Sequence, residues 1–543
     1  MKYSWLEQIF AAYNSGACGT FALFGNTTDI FPKNQTQEYT NIVGKLIEDC
    51  GPTMQVILQV DPSSGISVLK GSDILNTFLA KSKFTSGGTE ELLEQVHEYL
   101  LYIANKGDGK YCPTIIFLTN AEYLVGEQNT PKNALLIKRW SEDPHILKER
   151  ILTFIISPEL RKLHELIVSN NRIEKIEVES PNEEAVEKFL HTQKIKFPTA
   201  LARLKTKEAF NQAAKDMEKT SLHSLEKVLK LCNYEGKELD LDDLVCQKRK
   251  IVELESKHML EFISGHAKLT DLAGEHNIAI RTRFVNDITL WNKGLIQLMP
   301  NGYLLVGPPG TGKTYFVECL AGSTTIPIVK VKNFRGQFQG ETEGNLELIF
   351  RLLKTLPRVF VFIDEAEQFL GSRQQSASDG GVSGRVYAMF AQEIASKQNK
   401  GRICWIMATS HPHLLEPDLK RPGRIDIKIP LLPCEDEQAG AALLKELGLK
   451  AKLEFGKIIN IPPLLTPGSA DVLVTEVLRQ KEATRKPVTT ILNALLQEYQ
   501  SPDLEKMCYL TQKAIVESSS TAFVPQALVK TLKKIEATLN IRS

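Results

Sequence analysis

No apolar run in this 543-residue chain approaches the roughly 18 consecutive residues that a membrane-crossing helix requires, so no spanning segment is expected. The nine cysteines, at 18, 50, 112, 232, 246, 319, 404, 434 and 508, are odd in number and contain no C-x-x-C pair. That excludes a disulfide framework or a C-x-x-C zinc site from the expectations and points to a reducing interior. Neither sign of charge is in excess, with 66 Lys+Arg against 65 Asp+Glu, so the basic surplus that binding to a phosphate backbone leaves in a sequence is missing. Near the start, Glu7 and Asn14 interrupt any leader-like apolar core, and Cys18 lacks an apolar residue three positions before it, so a cytoplasmic protein is expected. What the chain does have is 42% apolar residues and the length for two to four domains of about 100 to 200 residues each.

One segment stands out. Gly307-Pro308-Pro309-Gly310-Thr311-Gly312-Lys313-Thr314 matches G-x-x-x-x-G-K-[ST] at every fixed position. The apolar run Tyr303-Leu304-Leu305-Val306 before it reads as a buried strand, and Tyr315 to Leu320 after it as a helix, which is the context the motif needs. Glycines let successive backbone N–H groups turn inward around phosphates, Lys313 brings a point charge, and Thr314 offers a hydroxyl to Mg²⁺. ATP and Mg²⁺ are the expected ligands.

From about residue 300 short β-branched runs alternate with helical segments: Ile328 to Val331, Val359 to Ile363, Ile403 to Ala408 and Ile425 to Ile429. Such alternation predicts a parallel sheet flanked by helices, and after Pro433 an all-helical pattern predicts a small lid. The first half repeats the rhythm at Phe21 to Gly25, Val56 to Leu58, Thr114 to Leu118, Ile151 to Ile156 and Ile173 to Val178. No lysine-bearing loop follows its first strand, and Thr119-Asn120 stands where a metal-binding acid would end the third. This half is read as a degenerate copy, with an unrelated α/β domain of similar rhythm as the alternative. The charged stretch between them, ending in CQKRKIVELESKHMLEFI, reads as connecting helices. The expected domains are thus 1–181 degenerate α/β, 182–265 helical connection, 266–432 ATP-binding α/β and 433–543 helical lid.

The strand Val359 to Ile363 runs into Asp364-Glu365, which places two carboxylates at the carboxyl edge of the sheet, where ligands of open α/β folds bind. Asp364 is the expected Mg²⁺ partner and Glu365 the group that polarises the attacking water, because phosphoryl transfer needs positioning and charge stabilisation more than covalent help. Ser410 ends the next strand within reach of the γ-phosphate or the water. Arg421 and Arg424 in LKRPGRID suit a neighbouring subunit's nucleotide. His411 and His413 flank a proline with no cysteine or acid at ligand spacing, so no zinc role is expected.

Together these residues resemble the AAA ATPases. GPPGTGKT, FIDE, the ATS strand end, LKRPGRID and Pro467-Gly468-Ser469-Ala470-Asp471 occur in that family's order across roughly residues 268–543. The resemblance implies a P-loop AAA module whose Asp271, Ala273 and Gly274 lie near the adenine. It also implies that Arg421 and Arg424 are arginine fingers and that Gly468-Ser469-Ala470 opens the lid helix against the nucleotide. A ring-shaped homo-oligomer, hexameric in the family, is implied as well. Phe338, in GQFQGE, falls in the family's first pore loop, where an aromatic grips an extended polypeptide; a core phenylalanine is the competing reading. More narrowly, the arrangement resembles conserved AAA proteins encoded in cyanobacterial and algal plastid genomes, which would place it in the plastid stroma if plastid-encoded. Ser410 stands where the family usually has asparagine and Glu367 where aspartate is common, so slow hydrolysis is expected. The resulting reading is a remodeller of a protein client. A slow nucleotide switch whose inactive half binds a partner is the alternative, and a nucleic-acid motor is disfavoured by the balanced charge.

Overall fold

The computed structural model describes residues 3–79, 88–104, 112–127, 131–144, 146, 150–272, 276–336, 341–370, 382–483, 486–499 and 503–539. They divide into two compact units, 1–248 and 249–543. The first holds β1 (Thr20–Gly25), the hairpin pair β2 (Phe31–Pro32) and β3 (Tyr39–Thr40), β4 (Val56–Asp61), β5 (Gly65–Lys70), β6 (Thr114–Leu118), β7 (Leu152–Ile156) and β8 (Ile173–Val178). Six of these form a sheet in the order β5-β4-β6-β7-β1-β8, parallel except for β5 against β4. Every residue of β6 and β7 is buried, because helices cover both faces of a parallel sheet, and this is why both strands read as unbroken apolar runs. Trp140, Val96 and Ile116 pack on one face, and Trp5, Phe21 and Phe154 on the other.

The second unit contains β9 (Leu260–Ile263), β10 (Gly302–Val306), β11 (Ile328–Val331), β12 (Val359–Ile363), β13 (Ile403–Thr409) and β14 (Ile427–Pro430). Their order is β14-β10-β13-β12-β11-β9, with β9 antiparallel to β11. Numbered within each unit, the five parallel strands run 5-1-4-3-2 in both sheets, and each sheet ends in one antiparallel strand beside strand 2. The first half therefore shares the second's topology, which alternation of apolar runs alone could only suggest.

Two elements depart from the sequence reading. The MLEFI end of the charged stretch is strand β9, not helix. Lys257 and His258 adopt φ of 52° and 62°, and this left-handed pair stops the helix Leu241–Glu255 and turns the chain into the sheet edge. The region after Pro433 is shared between two cores. Helices Glu437–Lys450, Pro467–Ala483 and Val488–Glu498 close around Leu444, Val477 and Leu492. Helices Leu504–Glu517 and Gln526–Leu539 instead place Cys508, Ala514 and Leu528 in the cluster that holds Val361 and Trp405 of the sheet. Apolar spacing shows that a helix has a face to bury; it does not name the surface that buries it.

In the first unit the loop after β1 carries Asp29, only 2% exposed. Its carboxylate accepts from Asn26 Nδ2 (2.8 Å), Ile30 N (2.9 Å), Ser221 Oγ (3.1 Å), Leu222 N (3.1 Å) and His223 N (2.8 Å). An internal anion thus sits on the N-terminus of helix Leu222–Tyr234, where backbone N–H groups and the helix dipole favour negative charge. Asp29→Ala should leave those buried donors unsatisfied at a cost of about 3 kcal/mol. Amide hydrogen exchange in helix Leu222–Tyr234 is then expected to accelerate by about 100-fold at that cost. Exchange unchanged from the wild type would remove Asp29 as the pin.

Candidate functional site: a phosphate-binding loop beside two acids

β10 delivers the chain into the loop Gly307 to Gly312, and helix Lys313–Ala321 leaves it. Gly312 has φ of +83°, a conformation that side chains with a Cβ rarely adopt. At Gly307 a Cβ would lie 1.9 Å from the Leu431 carbonyl oxygen, so the loop's first residue is glycine for want of space. Thr311 is buried and its hydroxyl donates to the Pro308 carbonyl at 2.8 Å, which cross-braces the loop. Pro309 and Gly310 are exposed at its rim.

The Lys313 ammonium donates to the carbonyls of Gly307 (2.7 Å) and Pro308 (3.0 Å) and to Ser410 Oγ (3.0 Å). Burial pushes its pKa down to about 8, against the opposing pull of Asp364, Glu367 and Glu365. A phosphate anion would favour the charged form there. Thr314 Oγ1 donates to Asp364 Oδ2 at 3.2 Å, so the hydroxyl and the carboxylate expected at Mg²⁺ face each other. Glu365 is exposed, with φ of +47°, a strained backbone for a non-glycine residue and a kind of outlier that clusters at active sites. Gln368 Nε2 donates to Glu365 Oε2 and orients it. Glu367 meets His411 Nδ1 at 3.3 Å through one oxygen, while its other oxygen is buried without a partner among the described residues. His411 therefore has an acid neighbour that sequence spacing did not reveal, although no metal-holding group of His, Cys, Asp and Glu occurs among the described residues.

The lid closes on the loop. Gly468 N donates to the Gly310 carbonyl at 2.9 Å, and Ser469 N and Oγ are both within 3.2 Å of Thr466 Oγ1. Ala470 is fully buried. Asp271 caps its own turn by accepting from Lys268 N at 2.8 Å, and its carbonyl accepts from Lys450 of the lid at 3.0 Å. Ala273, Gly274 and Phe338 lie outside the described residues. Between sheet edge and lid opens a cavity of about 1610 Å³, lined by Asp271, Lys313, Thr314, Asp364, Glu365, Ser410 and Gly468 among others. The loop, one ammonium, and a hydroxyl next to a carboxylate form a donor set that fits a nucleotide with Mg²⁺.

Arg421 and Arg424 are not among the described residues lining that cavity. Arg421 is 74% exposed and reaches Asp418 Oδ1 at 3.3 Å. Arg424 is 24% exposed and holds the Asp418 carbonyl at 3.1 Å as well as its carboxylate. The Arg424 hydrogen bond is the main reason that Asp418 ionises below the usual carboxylate range. Asp426 fixes the turn by accepting from Asn301 N and Gly423 N, both at 2.7 Å.

Sequence reasoning missed Lys330, whose Nζ lies 3.1 Å from Asp364 Oδ2, and Gln368. A lysine within IVKV looks like a solvent-facing alternation, and only the parallel register Lys330↔Phe362 brings it next to the acid that follows β12.

Comparison with known proteins agrees with this geometry. Residues 303–432 match the ATPase family associated with various cellular activities (AAA), and residues 4–179 match the AAA+ chaperone, N-terminal Rossmann-like domain. Peroxisomal ATPase PEX6 of Rattus norvegicus is 29% identical over 213 residues, 37% of this chain and 22% of that protein. Peroxisomal ATPase pex6 of Schizosaccharomyces pombe is 33% identical over 158 residues, 28% of this chain and 17% of its own length. The ATP-dependent zinc metalloprotease FtsH of Lancefieldella parvula is 30% identical over 199 residues, 35% of this chain and 31% of its own length. The chain thus spans less than a third of the length of each of these relatives. Loop, acids, lid contact and matched family converge on one conclusion: residues 303–432 match the AAA ATPase family and carry a donor set that fits ATP with Mg²⁺, and residues 4–179 before them match the Rossmann-like N-terminal domain of AAA+ chaperones.

Proposed function

We propose that the chain assembles into a ring in which ATP hydrolysis, at sites completed by a neighbour's arginine, remodels a protein client. The observation that carries this reading is the placement of the RPGR turn. Arg421 is 74% exposed, meets Asp418 at 3.3 Å and does not line its own chain's cavity, while the less exposed Arg424 holds both the carbonyl and the carboxylate of Asp418. Within its own subunit, Lys313 would stabilise the phosphates, Thr314 and Asp364 would hold Mg²⁺, and Glu365 would orient and polarise the water. Mg²⁺, when bound, supplies charge neutralisation at the phosphate oxygens. Catalysis would then depend on assembly, and turnover per chain should rise with protein concentration as rings form. A turnover that stays flat from dilute monomer to assembled protein would overturn the shared-site reading.

Ser410 is expected to limit the rate. Its hydroxyl, shorter than an asparagine amide, already accepts from Lys313 at 3.0 Å. Ser410→Asn should raise steady-state turnover by about threefold to tenfold, within the range of one positioned hydrogen bond. An unchanged or lower rate would count against this role.

One observation favours a second reading, a slow ATP-dependent switch whose N-terminal half binds a partner: Asp418 restrains both arginines of its own chain. The two readings part on Phe338. If Phe338→Ala abolishes client remodelling while ATP turnover persists, threading through a pore is the function. If Phe338 is dispensable and Glu365→Gln locks a stable partner complex, the switch is. A cytoplasmic location, or the plastid stroma for a plastid-encoded chain of the cyanobacterial type, belongs to the same proposal.

A further inference from the structure

Lys330 sits on a face of the sheet where Ile328, Phe360 and Phe362 are buried. Its neighbours Val329 and Val331 are buried in one face of the sheet, while Ile328 and Phe362, the register partner of Lys330, are buried in the other. Lys330 emerges on the Phe362 side. Its ammonium lies 5.5 Å from the Phe362 ring centroid, within cation–π range, and 3.1 Å from Asp364 Oδ2. The same carboxylate oxygen accepts from Thr314 Oγ1 at 3.2 Å. The side chains of Lys330 and Asp364 are 32% and 24% exposed, so the pair is less screened than one on an open surface.

We propose that Lys330 is a built-in counter-ion of Asp364 that must release this carboxylate before Mg²⁺ can be held there, and so raises the Mg²⁺ concentration the pocket needs. The inference rests on the ATP-site assignment above. Both the lysine and Thr314 use Oδ2, and a carboxylate oxygen already donated to by an ammonium is a poorer partner for a second cation. Phe362 supplies the second hold, keeping the ammonium at the edge of the sheet and not free in solvent. Lys330 is therefore a positioning residue for Asp364, tuning when the site becomes competent without touching the reacting atoms.

The test is calorimetric titration of ATP into the purified full chain across a series of Mg²⁺ concentrations. Lys330→Met is expected to lower the Mg²⁺ concentration for half-maximal enhancement of ATP affinity by about threefold to tenfold, the effect of losing one partly buried ion pair. Lys330→Arg keeps the charge and should stay close to wild type. Lys332→Met removes a nearby cation whose partner is Glu261, at 2.9 Å, and should also leave the Mg²⁺ dependence in place. Equal curves for Lys330→Met and Lys332→Met, or a greater Mg²⁺ requirement in Lys330→Met, would overturn the inference while the ATP site stands. Failure of the wild type to bind ATP at any Mg²⁺ concentration would instead remove the site assignment on which it rests.

Discussion

Arg421→Ala should lower ATP turnover in the assembled protein by about 10³-fold or more while ATP affinity stays within about twofold, as expected for an arginine supplied in trans. Arg421 is 74% exposed and does not line its own chain's cavity, so its loss leaves the local binding residues intact. Its guanidinium would act on charge that develops during phosphoryl transfer, and interactions that strengthen only there change the rate without changing ground-state binding. Arg424, anchored to both the carbonyl and the carboxylate of Asp418, shapes the turn that presents Arg421. Mixing gives the sharper result. Arg421→Ala chains keep a complete pocket and Lys313→Ala chains keep a complete arginine turn, so mixed assemblies should regain turnover that neither variant has alone. Mixed assemblies no more active than the separate variants would show that the arginine does not serve a neighbour.

Glu365→Gln is expected to cut turnover by about 10²- to 10⁴-fold, the usual weight of a positioned general base, with ATP affinity kept or improved. The backbone at Glu365 is held at φ of +47°, and Gln368 donates to its carboxylate. A glutamine is nearly the same shape, keeps the fold and the Gln368 contact region, and cannot polarise the water. Single-turnover rates should fall as far as steady-state rates, which separates a chemical defect from slow product release. The effect on Lys313→Ala is of another kind: affinity for ATP falls, because a point charge to the phosphates is lost in ground state and transition state alike.

The phosphate loop and its two acids were legible because their chemistry is local in sequence. Glycines at fixed offsets, Lys313 and Thr314 must be consecutive to surround a phosphate, and Asp364 and Glu365 must follow a buried strand. That Gly468-Ser469-Ala470 opens the lid helix against the nucleotide came through the family resemblance alone, and the contact from Gly468 to Gly310 needed the fold, since nothing in Pro467 to Asp471 states which loop it will meet. Lys330 was hidden for a different reason. Its function depends on the lateral order of β11 and β12, and one-dimensional alternation does not encode which strands become neighbours. Asp29 shows the same limit over a longer range: an aspartate after β1 reads as a turn residue until helix Leu222–Tyr234, almost 200 positions away, brings its N-terminus to the carboxylate. The first half was readable as a sheet without phosphate chemistry, and its 5-1-4-3-2 strand order needed the fold. Strand β9 was misread because two left-handed residues, Lys257 and His258, carry no glycine to announce the turn.

The central claim is that Lys313, Thr314 and Asp364 form a working pocket for ATP with Mg²⁺. Calorimetric titration of ATP and Mg²⁺ into the Glu365→Gln chain tests it most directly, because hydrolysis no longer consumes the ligand. Saturable binding of one ATP per chain, lost in the Lys313→Ala, Glu365→Gln double variant, is the predicted result; a folded protein that gives no saturable heat with ATP and Mg²⁺ would contradict the account.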